Sequence, residues 1–231
     1  MIELQAPDWW QELPVLSGPT VQLREVAEQD VDALFELLTD PKVSQFISPP
    51  PPSAAAFHGF VEWAHSQRKA GHCACFAVIP KGLTQAVGLF QVRALVPTFE
   101  IAEWGFALGA AFWGTGLFQE AATLVAEFAF REVRVHRLEA RAVTENRRGN
   151  RVLEKLGARG EAVLHKSFDR EYTQFLWAIL AEEWKPGTPP PLTPFDAAKL
   201  KRRIHAAIAH TPFPARNPRS FATPFPFFLI Q

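Results

Sequence analysis

Apolar positions recur with two periods along this chain, and the change from one to the other marks its elements. Residues 20–26 (TVQLREV) alternate, as a half-buried strand does. From Glu28 to Leu38, the apolar Val31, Leu34, Phe35 and Leu38 recur at helical spacing, with Pro41 as the stop. The prolines from Pro49 to Pro52 exclude a helix there. Ser53 is placed to cap a helix over 54–69, whose Phe57, Phe60, Val61 and Ala64 share one side. Strands are expected over 72–79, 85–96 and 99–108, parted by turns at Pro80-Lys81-Gly82 and Pro97-Thr98, as an antiparallel meander. A helix over 116–131 is apolar nearly all round (Leu117, Phe118, Leu124, Val125, Phe128, Phe130) and so is buried on more than one side. A strand over 137–143 follows, then a short helix capped by Asn146 and closed by Gly157. A hairpin of 162–168 and 172–180 around Asp169-Arg170 completes the pattern. The class is α/β: a mixed sheet with helices on both faces.

The flanks read differently. Residues 1–19 form a lead-in that packs Trp9 and Trp10 on the domain. The extension 185–231 holds half of the chain's 20 prolines, one expected helix over 195–209, and Phe221, Phe225, Phe227 and Phe228 near its end. It is either a loosely docked tail or a strap for a partner. Lys plus Arg and Asp plus Glu are equal at 24 each, so no surplus of positive charge argues for nucleic acid as a partner. No apolar run is long enough for a transmembrane helix. Acids and a proline at the N-terminus are unlike a signal peptide, so a cytoplasmic protein is expected. Cys73 and Cys75 stand two apart in a strand, as buried reduced thiols, without neighbours at the spacing of a metal site.

Between the meander and the buried helix lies Phe112-Trp113-Gly114-Thr115-Gly116-Leu117-Phe118-Gln119-Glu120-Ala121. Two glycines let backbone approach a ligand, and the N–H groups of a helix start point at whatever sits there. Gly-x-Gly before a helix is also an ordinary tight turn. What strengthens the phosphate-cradle reading is downstream: Arg137-Leu138-Glu139-Ala140, then Asn146, then Leu153-Glu154-Lys155-Leu156-Gly157. In this order and spacing the chain resembles the GNAT superfamily of acyl-CoA N-acyltransferases, in its RimJ/RimL-like group, over roughly 20–184. The resemblance implies a GNAT domain over 20–184 with a mixed, mostly antiparallel sheet. It implies acetyl-CoA as acyl donor, no metal, and a primary amine as acceptor, a protein N-terminal α-amine among the candidates. The amine would attack directly in a ternary complex. A homodimer is the assembly that the family suggests.

The resemblance also assigns residues. Trp113, Gly114, Thr115, Gly116, Leu117 and Phe118 would hold the pyrophosphate, and Asn146 would contact the pantetheine arm with Leu153 nearby, while Arg147, Arg148 and Arg151 either meet the 3′-phosphate or, for at least two of them, form a solvated helix face. The backbone of Phe106, Ala107 and Leu108 would pair with the pantetheine and aim an N–H at the carbonyl, a donor worth roughly 3 kcal/mol in such reactions. Glu103 is either the general base, with Glu100 second, or a structural contact. Tyr172, the only tyrosine, is either a proton donor to the leaving thiolate or a packing residue. A thiol of pKa about 8.5 needs little help to leave. The chain departs from the family pattern at three places: Phe118 where a small residue is usual, Gly149 where a serine is usual, and Thr173-Gln174 in place of a hairpin aspartate. These departures keep a second reading open, a non-catalytic acyl-CoA-binding sensor or interaction module.

Overall fold

The computed structural model describes residues 8–169 and 171–185. Two short strands open it, β1 (Leu16–Ser17) and β2 (Val21–Glu25). After a 3-10 turn comes α1 (Val31–Thr39). Pro41 does more than stop that helix. It occupies the first turn of a further short one, α2 (Pro41–Ser44), where its missing N–H costs nothing. Ser53 caps α3 (Ala54–Lys69), accepting from the Ala56 N–H at 3.1 Å. The meander is β3 (Cys73–Pro80), β4 (Gly88–Ala94) and β5 (Ile101–Leu108). β4 is shorter than its apolar run because the chain turns after Ala94, with Leu95 N–H bonded to the Ile101 carbonyl at 2.8 Å. Then follow α4 (Leu117–Arg131), β6 (Arg137–Val143), α5 (Arg147–Lys155), β7 (Arg159–Phe168) and β8 (Tyr172–Leu180). β7 starts three residues before its expected start at 162 because its pairing with β8 extends to Arg159–Ala178. The helix expected over 195–209 lies outside the described residues.

The strands make one eight-stranded sheet in the order β1-β2-β3-β4-β5-β6-β8-β7. Every neighbouring pair is antiparallel except β5–β6. Those two run parallel and pair only from Ile101–Arg137 to Glu103–Glu139. Beyond Glu103 they part, opening a V in the middle of the sheet.

Each face has its own core. On one face α4 lays Leu117, Ala121, Val125 and Phe128 over Phe76, Phe90, Trp104 and Phe106. On the other, α1 and α3 cover Cys75, Ala77, Leu89 and Ala107 with Leu34, Leu38, Phe57 and Phe60. The lead-in belongs to the first core. Trp9 is buried edge-on against Phe99 and Phe128, with ring centres 5.3 and 6.4 Å away, and Leu13 is buried beside the same core. Trp10 stays at the surface. Buried Arg68 of α3 fixes this segment, donating to the carbonyls of Trp10 and Gln11 while its Nε holds Glu25 at 2.5 Å. Both cysteines are buried and unbridged.

Candidate active site

The corner after β5 is built by glycine conformation and two side-chain ties. Gly114 and Gly116 sit at φ +73° and +87°, where a side chain is strained. The Trp113 indole N–H donates to the Leu108 carbonyl at 2.8 Å and folds the corner back on the end of β5. The Thr115 hydroxyl donates to the Phe112 carbonyl at 2.7 Å, so it serves the turn. Gly116, the residue before α4, offers no side chain to cap it. The Thr115 hydroxyl also accepts from the Leu117 N–H at 3.4 Å, and the other N–H groups of the first turn are left to whatever sits at the corner, where the helix dipole favours an anion.

The corner forms one wall of a cavity of about 290 Å³. Phe106, Leu108, Trp113 and Phe118 give it apolar sides, and Arg148, Arg151, Val152 and Lys155 close it from α5. The positions 148, 151, 152 and 155 are one face of a helix, so this wall was legible from spacing alone. Arg148 lies over the Trp113 ring, its Cζ 3.6 Å from the centroid. Phe118 serves two purposes: its ring packs on Phe106 at 4.5 Å and Phe90 at 5.6 Å, and its outer side lines the cavity. Asn146 is buried, and its side chain accepts from the Gly149 N–H at 2.9 Å to start α5. Asn150 anchors the same helix, donating to the Val143 carbonyl at 2.9 Å and accepting from the Trp177 indole at 2.9 Å. Sequence reasoning missed Asn150, Val152 and Lys155.

On the opposite, α3-bearing face, the root of the V carries charge. Glu103 is 7% exposed, and its two oxygens accept from Arg93 of β4 and Arg141 of β6, each at 2.5 Å. A base needs an oxygen within reach of the proton it takes, and both oxygens here already face a guanidinium. Next along, Arg137 bonds Glu139 at 2.8 Å and Glu161 at 3.0 and 2.5 Å. The Arg137 hydrogen bond holds the Glu161 carboxyl below the usual carboxylate range. Tyr172 begins β8 and packs on Phe168 across the hairpin, ring centres 6.0 Å apart. Ala107 turns to the α1–α3 core, and Leu117 and Leu153 are buried in the α4 core, so these three contribute backbone or packing only.

The family description "Acetyltransferase (GNAT) domain" matches residues 20–159, more than half of the chain. The chain belongs to the GNAT acetyltransferase family. Among curated relatives, the uncharacterized N-acetyltransferase YnaD of Bacillus subtilis is 27% identical, covering 70% of this chain and 94% of its own length. The uncharacterized N-acetyltransferase p20 of Bacillus licheniformis is 23% identical, covering 70% of this chain and 93% of its own. Among solved structures, a GNAT-family acetyltransferase from Bacillus anthracis superposes with TM-score 0.65 at 25% identity, over 74% of this chain and all of that one. Mycobacterium smegmatis RimJ, solved with a CoA disulfide, shares the fold at TM-score 0.65 and 22% identity, over 83% of this chain and 94% of that one.

The chain is thus an acyltransferase with the GNAT fold, and of the residues that the sequence singled out, seven meet at one place. Phe106, Leu108, Trp113, Gly114, Phe118 and Arg151 line the cavity together. Arg148 joins them. Glu103 and Tyr172 do not line it.

Proposed function

We propose that this GNAT enzyme takes acetyl from acetyl-CoA and delivers it to an N-terminal α-amine of a peptide or protein, in the cytoplasm and as a homodimer. The observation that carries the donor assignment is the cavity at the V, which joins an uncapped helix start and three cations to an apolar wall. Phosphates suit the first part, and a pantetheine arm suits the second. In this reading the first-turn N–H groups hold the pyrophosphate, while Arg148, Arg151 and Lys155 offer charge to the 3′-phosphate. The arm runs along the β6-facing edge of β5, where β6 no longer pairs the chain from Trp104 to Ala107, and a backbone N–H there polarises the thioester carbonyl.

The amine nitrogen attacks that carbonyl carbon, the C–S bond breaks, the thiolate leaves, and the amine loses a proton to water. The acceptor class follows from the missing base. Both carboxylates on the α3-facing side of β5 and β6, Glu103 and Glu139, are ion-paired. An α-amine, with a pKa of about 8, is partly neutral without help, whereas a lysine amine near 10.4 is not. Glu103 is accordingly read as the anchor of two arginines, and Tyr172 as packing.

Calorimetry with acetyl-CoA, against desulfo-CoA and an unrelated nucleotide, tests the donor site. Thiol release with free-N-terminus peptides tests turnover. Gly149, where a serine proton donor is usual, favours the second reading, an acyl-CoA-binding module without turnover. Donor binding with no acetylated product from a peptide and amine panel would select it.

A further inference from the structure

The α3-facing side of the V carries a feature that neither donor binding nor the ion pairing of a stable fold accounts for. One buried carboxylate, Glu103, is shared by two guanidiniums whose side chains are 29% and 30% exposed, Arg93 and Arg141. The three together carry one net positive charge at the surface. The neighbouring Arg137 is satisfied by Glu139 and Glu161, whereas Arg141 reaches Glu139 only at 3.8 Å, beyond a hydrogen bond. Arg141 thus has donors of its planar fork turned outward while Glu103 fixes its direction. A fork so held fits a carboxylate bidentately.

A second observation lies on the same face. Gln91 of β4 is 3% exposed and Gln174 of β8 is 2% exposed, and each has one amide atom with no hydrogen-bond partner. Turning either amide over only exchanges which atom is left. Buried polar atoms are nearly always paired, so each orphan calls for a partner that the chain does not supply, from water or from a ligand. Gln91 sits opposite Gly105, the first same-face residue beyond Glu103, where a missing side chain leaves room. Gln174 sits opposite Val143, the last residue of β6. The two glutamines therefore bracket the arginine pair across the V.

We infer that the acceptor carries an anionic carboxylate close to the amine that is acetylated, and that Arg141, with Arg93, reads it while Gln91 and Gln174 bond the backbone between. This rests on the transferase reading above and adds the substrate class to it. The carboxylate is an acidic side chain two or three residues into a peptide, or the α-carboxylate of a free amino acid. Polycationic acceptors such as polyamines and aminoglycosides place like charge against the arginines and are excluded.

The test uses the full chain with acetyl-CoA and measures thiol release. Acceptors are peptides with a free N-terminus that differ only by Asp, Asn or Lys at their second and third positions, together with free aspartate and spermidine. The expected result is kcat/KM about tenfold higher for the Asp peptide than for the Asn peptide, the factor one charge-assisted hydrogen bond supplies, with Lys and spermidine lowest. Free aspartate outrunning every peptide would assign the carboxylate to an amino acid. In Arg141→Gln the Asp and Asn peptides become equal, mainly through KM, with folding checked by circular dichroism. The comparison of Asp with Asn in the unmodified protein stands even where that variant fails to fold. Equal rates for Asp, Asn and Lys peptides would overturn the inference and leave the transferase standing. No thiol release from any acceptor by a protein that binds acetyl-CoA would overturn both.

Discussion

Glu120 shows how a residue in the middle of a donor-site motif can serve the fold instead. It is 3% exposed on α4, and its carboxylate accepts from the Thr20 N–H at 2.8 Å, the Val21 N–H at 3.2 Å and the Thr20 hydroxyl. Glu120→Ala strands those buried donors, so the expected loss is about 3 kcal/mol of stability by urea titration. Glu120→Gln, which keeps one acceptor oxygen, loses less. Glu103→Gln tests its own assignment: a raised acceptor KM with the acidic limb of the kcat profile in place is expected, and loss of that limb would make Glu103 the base. The cysteines give a pH prediction. Burial pushes the Cys73 thiol up to about 12, against the pull of Arg93, and carries Cys75 well above its usual value. A thiol that ionises late in the folded state contributes stability below its unfolded pKa, about 8.5, and that contribution is lost as pH rises from there towards 12. Stability should fall across that window, and no thiol should react with a maleimide at neutral pH before unfolding.

At the scale of elements, the proposed donor site rests on α5 and the corner. Arg148, Arg151 and Lys155 share a helix face, so Arg151→Ala should weaken acetyl-CoA severalfold and leave dephospho-CoA almost unchanged, with the difference shrinking in salt. Gly116→Val forces a β-branched residue to φ +87° and should abolish donor binding in calorimetry. Both features were legible in the sequence, the face from its i, i+3, i+4, i+7 spacing and the turn from its glycines. The ties of Glu103 were not. Arg93 and Arg141 stand 10 and 38 residues from it on two other strands, and only the strand register brings them together. Gln91 escaped for the same reason, since it reads locally as one polar residue in an apolar run, whereas Gln174 stood out only as part of the pair in place of a hairpin aspartate. The two outcomes for Phe118, core or cavity, were not separable in the sequence because one ring does both.

Across the whole molecule, the lead-in is a working part of the domain. Trp9→Ala should cost about 3 kcal/mol or more, measured by thermal or urea unfolding, because the buried ring packs between Phe99 and Phe128. The Trp9-Trp10 pair announced this packing in the sequence, although the lead-in carries no period, and Trp9 alone of the two is buried. The V has a wider consequence. Only three residue pairs stitch β5 to β6, so the two halves of the sheet meet there along a sparsely tied seam. A donor lodged between the parted strands is a splint across it. The acyl donor should therefore stiffen the protein as well as react, slowing amide exchange in β5 and β6 on both sides of the seam. The leaving of the spent coenzyme would then return the sheet to its looser state, tying turnover to a mechanical cycle of the fold itself.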